Sequence, residues 1–540
     1  MILDAAQSFA LFAGISCPSP VVQPCSASGV FAMTPLRLWL VSGIFFAVAS
    51  LTLHAQQPLS PSSSASVQQV VIDSHAATSP FPHYWEQIFG SGRANLSMRT
   101  GYRDDLRQVK QITDFRYLRF HGIFHDENGV YSEDAQGNPV YNWSYVDQIY
   151  DGLLANGVRP FVELGFMPKA MAARTDYHPF WYKPVVSPPK DYAKWDALIV
   201  AFAQHLIARY GIEEVSQWYF EVWNEPNLDF WSGNPKQSTY YELYDHTART
   251  LKTVSPRLRV GGPATAQAAW VDDMIAHAVQ NNVPLDFVST HVYGNDSAND
   301  VFGDNRKIAP YGMVCQAVEK VHNQIVHSAL PKIPLIWSEF NASYMNQQEI
   351  TDSIYMGPWM ARTISQCDGM VDMMSYWTFS DVFEEQGVVK QPFYGGYGLV
   401  AEDGIPKPAF NAFKLLHMLG SERLPVAADD LLVTRRSDGT LIVAAWNFVD
   451  PGTAGADKTI IIEFKGISAG AHVTIRRVDG THGDTLDAWK KMGNPAYPTQ
   501  SQITSLRKAA EIGPPQIESL HGSKLSVTLP PMGLAVIEVH

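Results

Sequence analysis

Between about Pro82 and Phe413, short apolar runs alternate with longer amphipathic stretches, and this pattern constrains the fold more than any other feature of the chain. The apolar runs have strand length and the stretches between them have helical periodicity. Eight such units predict a (β/α)₈ TIM barrel. Strands are predicted at Trp85–Gly90, Phe115–Phe120, Arg159–Phe166, Trp218–Trp223, Leu258–Gly262, Phe287–Tyr293, Leu335–Phe340 and Met373–Phe379. Helices are predicted at Trp143–Asn156, Asp191–Tyr210, Tyr240–Val254, Trp270–Asn281, Tyr311–His327 and Ser353–Cys367.

Beyond about Leu415 the pattern changes to strand-length runs, with hairpin turn signals at Asp438-Gly439 and Asp479-Gly480. This pattern predicts a second, smaller β-sandwich domain, to which Val67–Ile72 adds a strand from before the barrel. A chain of 540 residues has room for both domains, because one hydrophobic core stops growing near roughly 250–300 residues. The other predicted strands are Leu431–Arg435, Leu441–Phe448, Thr459–Phe464, His472–Val478, Leu525–Thr528 and Leu534–Val539.

The amino-terminal segment is typical of a secretory signal whose true start is Met33. Arg37 supplies a positive charge, an apolar run extends from Leu38 to Leu53, and small residues end the run near Ala55. The alternative is an uncleaved anchor. In both cases we expect the protein to work outside the cytoplasm, secreted or periplasmic. If the leader is cleaved, we expect no stable membrane span. The expected organisation is a leader at 1–55, a linker and first sandwich strand at 56–81, a barrel at 82–413 and a sandwich at 414–540.

The charge of the chain argues against nucleic acids and anionic membranes as partners. Its formal net charge is -13 at pH 7, and no run rich in lysine or arginine occurs. Charged residues make up only 17% of the chain and apolar residues 46%, so a full hydrophobic core is expected. These values are compatible with a neutral ligand.

Few residues suggest a metal site or a disulfide scaffold. Cys315 and Cys367 remain once the leader is removed, and buried free thiols are the expectation for both. No Cys/His cluster has zinc spacing. His121 and His125 are four residues apart, but they follow a strand and do not lie on a helix. We therefore expect neither a metal nor a cofactor.

Two strands of the predicted barrel end in a glutamate. The segment 218–227 (WYFEVWNEPN) leads into Asn224-Glu225-Pro226, where the proline ends the strand. The segment 333–342 (IPLIWSEFNA) presents Glu339 about 110 residues later, which makes the two strands numbers four and seven. Loops at the carboxyl ends of barrel strands carry the chemistry. Glu225 and Glu339 are therefore predicted to face each other, as glycoside hydrolysis requires, with Asn224 able to hydrogen-bond a sugar hydroxyl.

At these residues the chain resembles glycoside hydrolase family 39, and it looks most like the family's β-xylosidases. The resemblance extends over almost the whole barrel. It includes the segments 119–122 (RFHG), 159–169 (RPFVELGFMPK), 220–228 (FEVWNEPNL), 375–385 (SYWTFSDVFEE) and 395–399 (GGYGL). Such long matches are far more specific than a single motif. The family also pairs its barrel with a β-sandwich.

The resemblance implies roles for single residues. Glu225 matches the family's acid/base and Glu339 its nucleophile. Arg119 matches the arginine that steadies the nucleophile, and Tyr293 is expected to hydrogen-bond Glu339. The match of Phe230 requires a one-residue deletion. With Asn224, the expected substrate-binding residues are His121, Phe230, His291, Tyr293, the aromatic floor Trp377, and the acidic pair Glu384 and Glu385.

We therefore expect a retaining glycosidase that cleaves β-xylosidic bonds of xylo-oligosaccharides or related neutral glycosides by double displacement. An α-L-iduronidase-like or other family activity is one alternative. A uronate would require a basic pocket, whereas the relevant loop carries Glu384 and Glu385. A non-catalytic carbohydrate-binding protein is the other alternative, against which both carboxylates weigh. The expected partner is an oligosaccharide, and the sequence leaves a homo-oligomer open.

Overall fold

Eight parallel strands close into a barrel in the computed structural model, which describes residues 66–540. Each strand pairs with its neighbours in the chain, and the eighth pairs with the first. The barrel strands are Ile88–Ser91, Tyr117–Phe120, Arg159–Leu164, Tyr219–Val222, Arg259–Thr265, Phe287–Tyr293, Leu335–Asn341 and Met373–Tyr376. The (β/α)₈ prediction is confirmed.

Eight helices cover the outside of the barrel: Thr100–Lys110, Ser144–Leu154, Tyr192–Tyr210, Lys236–Val254, Val271–Gln280, Pro310–Val326, Met356–Cys367 and Pro408–Leu416. In the third, Trp195, Leu198 and Phe202 recur at helical spacing and are buried against the barrel. The Asp191 side chain starts this helix by accepting a hydrogen bond from the backbone N–H of Ala193. The first and last of these helices were not among the sequence predictions.

The loops contain short elements of their own. These are the α-helices Ile212–Val215, Ala298–Phe302 and Gln348–Thr351, and the 3₁₀ turns Ala94–Met98, Asp126–Asn128, Ala266–Ala268 and Glu402–Gly404. Two small antiparallel pairs join Tyr131–Glu133 to Pro139–Tyr141, and Val400–Ala401 to Ile405–Pro406.

The interior of the barrel changes from apolar to charged along the strands. Its apolar layer is one buried cluster formed by Ile88, Phe161, Phe287, Ile336 and Met373. Inward-pointing residues recur every second position in a strand. Phe161 is therefore followed inward by Glu163, and Tyr219 by Glu221. Both glutamates are fully buried, so the strands bring a charged layer to the carboxyl end of the barrel.

Two further sheets form the predicted β-sandwich. The larger has the order Ser79–Pro80, Glu422–Leu424, Leu431–Arg435, Leu441–Trp446, Leu534–Val539, His472–Val478 and Gln516–Ser519. The smaller consists of Ser66–Asp73, Lys458–Lys465 and Lys524–Leu529. Val443 and Ile537 of the larger sheet share a hydrophobic cluster with Ile462 and Val527 of the smaller. Two helices that were not predicted, Thr485–Lys491 and Gln500–Ala509, lie in the same region of the chain.

The central strands of the larger sheet, Leu441–Trp446 and Leu534–Val539, are buried on both faces. Leu432, Ala444 and Val536 alternate with the residues that face the sandwich core, and they belong to the cluster that includes the barrel helices. The described residues form one compact unit. Helix Pro408–Leu416 spans the expected boundary between residues 413 and 414. That boundary therefore stays a prediction.

The expectation of free thiols at Cys315 and Cys367 is wrong. The two cysteines form a disulfide, with a Cα–Cα distance of 5.2 Å. Cys315 lies in helix Pro310–Val326 and Cys367 ends helix Met356–Cys367. These helices flank the seventh barrel strand and pack side by side, which brings together two cysteines that are 52 residues apart.

The expected leader and most of the linker lie outside the described residues. From residue 66 to residue 540, no helix is both long enough and apolar enough to cross a membrane.

Candidate active site

A cavity of about 390 Å³ opens at the carboxyl ends of the barrel strands. Aromatic rings and a few polar groups line it, as is typical of sites for small polar ligands. The lining residues are His121, His178, Phe180, Asn224, Glu225, Leu228, Phe230, Ala266, Gln267, Tyr293, Asp296, Glu339, Tyr344, Trp377, Glu385, Gln386 and Tyr397. Among the predicted site residues, Arg119, His291 and Glu384 do not line the cavity.

Glu225 and Glu339 face each other across this cavity. One oxygen of each carboxyl group and a ring nitrogen of His291 all lie within 4.8 Å of one another. Glu339 lies in the seventh strand, and Glu225 follows the fourth strand by three residues. Glu225 has a positive φ of 43°, and its N–H donates to the carbonyl of Ala264 at 2.8 Å. Strained backbone of this kind is concentrated at functional sites.

Arg119 organises the carboxylates beneath the cavity. Its guanidinium donates to Glu339 at 2.6 Å, to Glu221 at 2.6 Å and to the side-chain oxygen of Asn224 at 2.8 Å. The same group lies 3.0 Å from Glu163. Arg119 is fully buried, so its charge acts in a medium of low polarity, where ion pairs are strong. The planar fork fixes several acceptors at once.

The two facing carboxyl groups have different environments. Burial, and then the charge of Glu339, raise the pKa of Glu225 well above its usual value. Burial also raises the pKa of Glu339, but Arg119, His121 and the hydroxyl of Tyr293 oppose that increase. Glu225 is therefore the carboxyl group that holds a proton while Glu339 is ionised.

Tyr293 and His291 come from the sixth strand and contact one carboxyl group each. The Tyr293 hydroxyl donates to Glu339 at 2.6 Å. His291 Nδ1 lies 3.0 Å from Glu225, and its Nε2 lies 3.0 Å from the Ser338 hydroxyl. Burial, and then the charge of Arg119, lower the pKa of His291 well below its usual value. This imidazole is consequently neutral and adds no charge beside Glu225.

His121 differs from His291 because it is paired with a carboxylate. Burial lowers its pKa, but the nearby Glu163 at 2.6 Å outweighs burial, and the net pKa is raised. His121 Nε2 lies 3.6 Å from Glu385, on the cavity side. His125 is separate from this cluster, since its ring accepts from the backbone N–H of Glu127 and caps a 3₁₀ turn.

Aromatic side chains form two walls of the cavity. Trp377 packs with Tyr293, Phe383 and Tyr397 in one cluster. A Cβ atom at Gly90 would lie 2.1 Å from Trp377 Cε3, so the indole sits there only because position 90 has no side chain. On the other wall, the Phe230 ring stacks on His178, with centroids 3.9 Å apart.

The acidic pair splits into two environments. Glu384 is held by Arg99 at 2.7 Å and by Arg93 at 3.0 Å, and it faces away from the cavity. Glu385 lines the cavity, and burial raises its pKa to about 8. Its Oε1 atom is buried and has no hydrogen-bond partner among the described residues. Glu385 is thus the member of the pair that is free to bind a ligand.

Several residues at the site were not found from the sequence. Glu163 and Glu221 resemble ordinary positions in strands, and only the period of two could have placed them inside the barrel beside Arg119. His178 and Tyr397 come from long loops, and Asp296 comes from the short connection between strand Phe287–Tyr293 and helix Ala298–Phe302. No pattern in the sequence specifies the course of these connections.

The triad of Glu225, His291 and Glu339 has metal-ligand atoms at close range. Both oxygens of Glu339 are already engaged, by Arg119 and by Tyr293. The guanidinium also places a positive charge where a cation would have to bind. These three side chains are therefore better suited to a reaction in which the two carboxyl groups act on an uncharged ligand than to binding a metal ion.

Comparison with known proteins agrees with this geometry. The model of the family described as glycosyl hydrolases family 39 matches residues 68–522. A β-xylosidase of Geobacillus stearothermophilus is 39% identical over 439 residues, which cover 79% of this chain and 86% of that protein. The crystal structure of a monomeric β-xylosidase from Caulobacter crescentus matches with a TM-score of 0.80 at 35% identity, covering 88% of this chain and 99% of that one.

The sequence similarity to α-L-iduronidases is more limited. The human α-L-iduronidase is 28% identical over 183 residues, which cover 31% of this chain and 26% of that protein. The β-xylosidase matches extend over most of both chains, whereas this one is confined to a part of each.

Proposed function

The chain belongs to glycosyl hydrolases family 39, and from this membership we propose that it is a retaining β-xylosidase acting on xylo-oligosaccharides of the kind that xylan degradation releases. The observation that carries the proposal is the close approach of Glu225 and Glu339, within 4.8 Å at one oxygen of each. Retaining enzymes hold their carboxyl groups about 5–5.5 Å apart, and inverting enzymes hold them about 6.5–9.5 Å apart. The spacing favours double displacement.

In this mechanism Glu225 donates its proton to the glycosidic oxygen while Glu339 attacks the anomeric carbon. The C–O bond to the leaving group breaks, and a glycosyl ester forms on Glu339. That ester carries no charge, so one cause of the raised pKa of Glu225 is removed. Glu225 then deprotonates a water molecule that cleaves the ester. Two inversions at the anomeric carbon retain its configuration.

The polar lining of the cavity favours a neutral sugar. Among the described residues that line it, no lysine or arginine occurs, and His121, the histidine with a raised pKa, is already paired with Glu163 at 2.6 Å. Glu385 and His121 instead offer hydrogen-bonding groups for sugar hydroxyls. Trp377 supplies a flat apolar face for the C–H groups of a pyranose ring.

Two variants test the assigned roles. E225A should slow substrates with poor leaving groups by about 10²–10⁴-fold, with p-nitrophenyl xyloside affected less and azide restoring turnover. E339Q should abolish labelling by a 2-deoxy-2-fluoroxyloside, which peptide mass spectrometry detects on Glu339 of the unmodified enzyme. E349Q, at an exposed glutamate, is the matched control. Near-normal turnover by E339Q would refute the proposal.

A panel of p-nitrophenyl glycosides tests the substrate. The β-xyloside should be hydrolysed with the highest kcat/KM, and the α-L-iduronide should be a poor substrate. Proton NMR of the first product should show the β anomer before mutarotation. An initial α anomer would establish inversion and overturn the double displacement. Binding without turnover of every glycoside would favour the non-catalytic alternative.

We also propose that the protein is secreted or periplasmic. The disulfide between Cys315 and Cys367 supports this location, because disulfides persist in oxidising compartments and are rare in the cytosol. Fractionation of the producing cells, with mass spectrometry of the mature amino terminus, tests export and leader cleavage together. Light scattering on the purified protein tests whether it forms the homo-oligomer that the sequence left open.

A further inference from the structure

Two histidines and one glutamate meet at the amino-terminal end of the barrel, remote from the cavity. Glu86 lies two residues before the first barrel strand, and His83 lies three residues before Glu86. His417 directly follows helix Pro408–Leu416. His83 Nδ1 lies 2.6 Å from Glu86 Oε1, and His417 Nδ1 lies 2.8 Å and 2.9 Å from the two Glu86 oxygens.

The burial of Glu86 makes this cluster unusual. Its side chain is 0% exposed. Within the described part of the chain, its hydrogen-bond and ion-pair partners are His83 and His417, with neither a lysine nor an arginine among them. A buried carboxylate is costly unless a cation is paired with it, and here that cation is either a protonated histidine or a bound metal ion. Two imidazole nitrogens and one carboxylate oxygen are also a donor set that Zn²⁺ prefers.

We propose that His83, Glu86 and His417 form a binding site for a divalent transition-metal ion, Zn²⁺ in the first instance, which joins the start of the barrel to its last helix. One ligand atom from each residue lies within 4.8 Å of the other two. Zinc–nitrogen and zinc–oxygen bonds of about 2.0–2.1 Å in a tetrahedron place ligand atoms about 3.3 Å apart. The observed contacts of 2.6 Å and 2.8 Å have to widen by less than 1 Å to reach that separation.

The surroundings permit both entry and adjustment. The His417 side chain is 45% exposed and that of His83 is 19% exposed, so both rings can turn. The cluster lines an open cleft that also contains Thr113, Ser421, and Arg116, whose guanidinium is paired with Asp114. A metal held there by three protein ligands keeps its fourth position for water.

A metal ion at this site would cross-link two segments that are distant in the chain. His83 and His417 are separated by more than 300 residues in the chain. Beside the cluster, Ser79–Pro80 pairs with Glu422–Leu424 at the edge of the larger sandwich sheet. A metal that cross-links the two histidines therefore fixes the entry to the barrel against the segment that leads into the sandwich. Binding only to the folded chain stabilises that chain by mass action.

The test measures metal content and thermal stability of the full chain after treatment with a chelator. Dialysis against a low concentration of Zn²⁺ should leave one zinc per chain by elemental analysis. At about 100 times the dissociation constant, Tm should rise by about 3 °C. Co²⁺ in place of Zn²⁺ should give the visible absorption of a tetrahedral site. None of these measurements depends on glycoside hydrolysis, so the proposed function can fail while this proposal stands, and the reverse.

Variants identify the site. H417A and E86Q should each weaken zinc binding by at least about tenfold, and H417A replaces a half-exposed side chain, so its fold should be retained. H205A is the matched control, because His205 lies 2.6 Å from Asp147 in a pair that has no second histidine. Zinc content measured for E339Q shows whether the metal binds instead at the triad of Glu225, His291 and Glu339 in the cavity.

Three results would overturn the proposal. The first is a dissociation constant for Zn²⁺ above about 1 mM at pH 7. The second is unchanged zinc binding by both H417A and E86Q. The third is loss of zinc in E339Q with retention in E86Q, which would place the metal in the cavity.

Discussion

Replacing Tyr293 with phenylalanine tests how the site keeps Glu339 ionised. The Tyr293 hydroxyl donates to Glu339 at 2.6 Å, and that hydrogen bond lowers the pKa of the carboxyl group against the effect of burial. Phenylalanine keeps the ring, which packs with Trp377, Phe383 and Tyr397. The substitution therefore removes one hydrogen bond and leaves the aromatic cluster in place.

The size of the effect follows from the charge of the acceptor. A hydrogen bond to a charged group contributes about 1.5–3 kcal/mol. If that stabilisation serves to hold the nucleophile ionised and oriented, its loss lowers kcat/KM by about 10- to 150-fold. The acid limb of the pH profile should also move to higher pH, because Glu339 has to be ionised in the free enzyme and Y293F raises its pKa.

The assay is kcat/KM for p-nitrophenyl β-xyloside between about pH 4 and pH 9, with Tm as a check on folding. Y397F is the matched control. Tyr397 also lines the cavity, but its hydroxyl donates to the carbonyl of Tyr344 at 2.7 Å and not to Glu339. An unmoved acid limb and an unchanged rate in Y293F would refute the view that this hydroxyl sets the state of the nucleophile.

Three further predictions concern the Trp377 side chain in the cavity wall, Glu385 in the loop that lines the cavity, and the disulfide between Cys315 and Cys367. G90A should lower kcat/KM for xylosides and also lower Tm, since the new Cβ would lie 2.1 Å from Trp377 Cε3 and displace the buried indole; an unchanged KM and kcat would show that the position of Trp377 is not needed. E385Q should keep near-normal kcat/KM below pH 7, because the pKa of Glu385 is about 8 and the protonated acid resembles an amide, whereas E385A should lose about 2- to 10-fold. Reduction or a C315S/C367S double variant should lower the free energy of unfolding by about 4 kcal/mol for a loop of 52 residues, measured by chemical denaturation.

The sequence predicted the parts of this molecule that depend on short-range patterns. Apolar runs identify strands, and the rule that barrel chemistry follows strand ends then selects Glu225 and Glu339. The sandwich strand Leu431–Arg435 was predicted to its exact bounds. Helix Thr100–Lys110 was missed because its composition is strongly polar and only Tyr102, Asp105, Leu106 and Val109 are buried.

Contacts between distant segments could not be predicted in the same way. The disulfide joins two helices whose packing is a property of the closed barrel. Glu384 and Glu385 are adjacent in sequence, yet one is held by arginines and the other lines the cavity. A change of side chain direction within a loop leaves no periodic signal in the sequence.

The charges around Arg119 suggest why the site contains carboxylates that do not line the cavity. Glu163, Glu221 and Glu339 all contact the Arg119 guanidinium, and His121, whose pKa is raised chiefly by Glu163, is the second cation when it is protonated. With Glu225 protonated, three negative charges then face two positive ones. The excess of one negative charge is fixed before the reaction begins, and it stabilises a transition state in which the sugar is positively charged.

Glu163 tests this argument because it supports the site without lining the cavity. In E163Q one buried negative charge is removed, together with the carboxylate that raises the pKa of His121. The negative excess is therefore lost at a pH low enough to keep His121 protonated, and kcat is compared there. A unit negative charge about 8 Å from the positive charge on the sugar, in a medium with an effective dielectric constant of about 20, stabilises that transition state by about 2 kcal/mol. This energy corresponds to roughly 30-fold in rate. A neutral sugar in the ground state gains little from that charge, so kcat should fall while KM changes little. A higher KM with an unchanged kcat would mean that Glu163 acts through substrate binding, and that the buried charge does not serve the transition state.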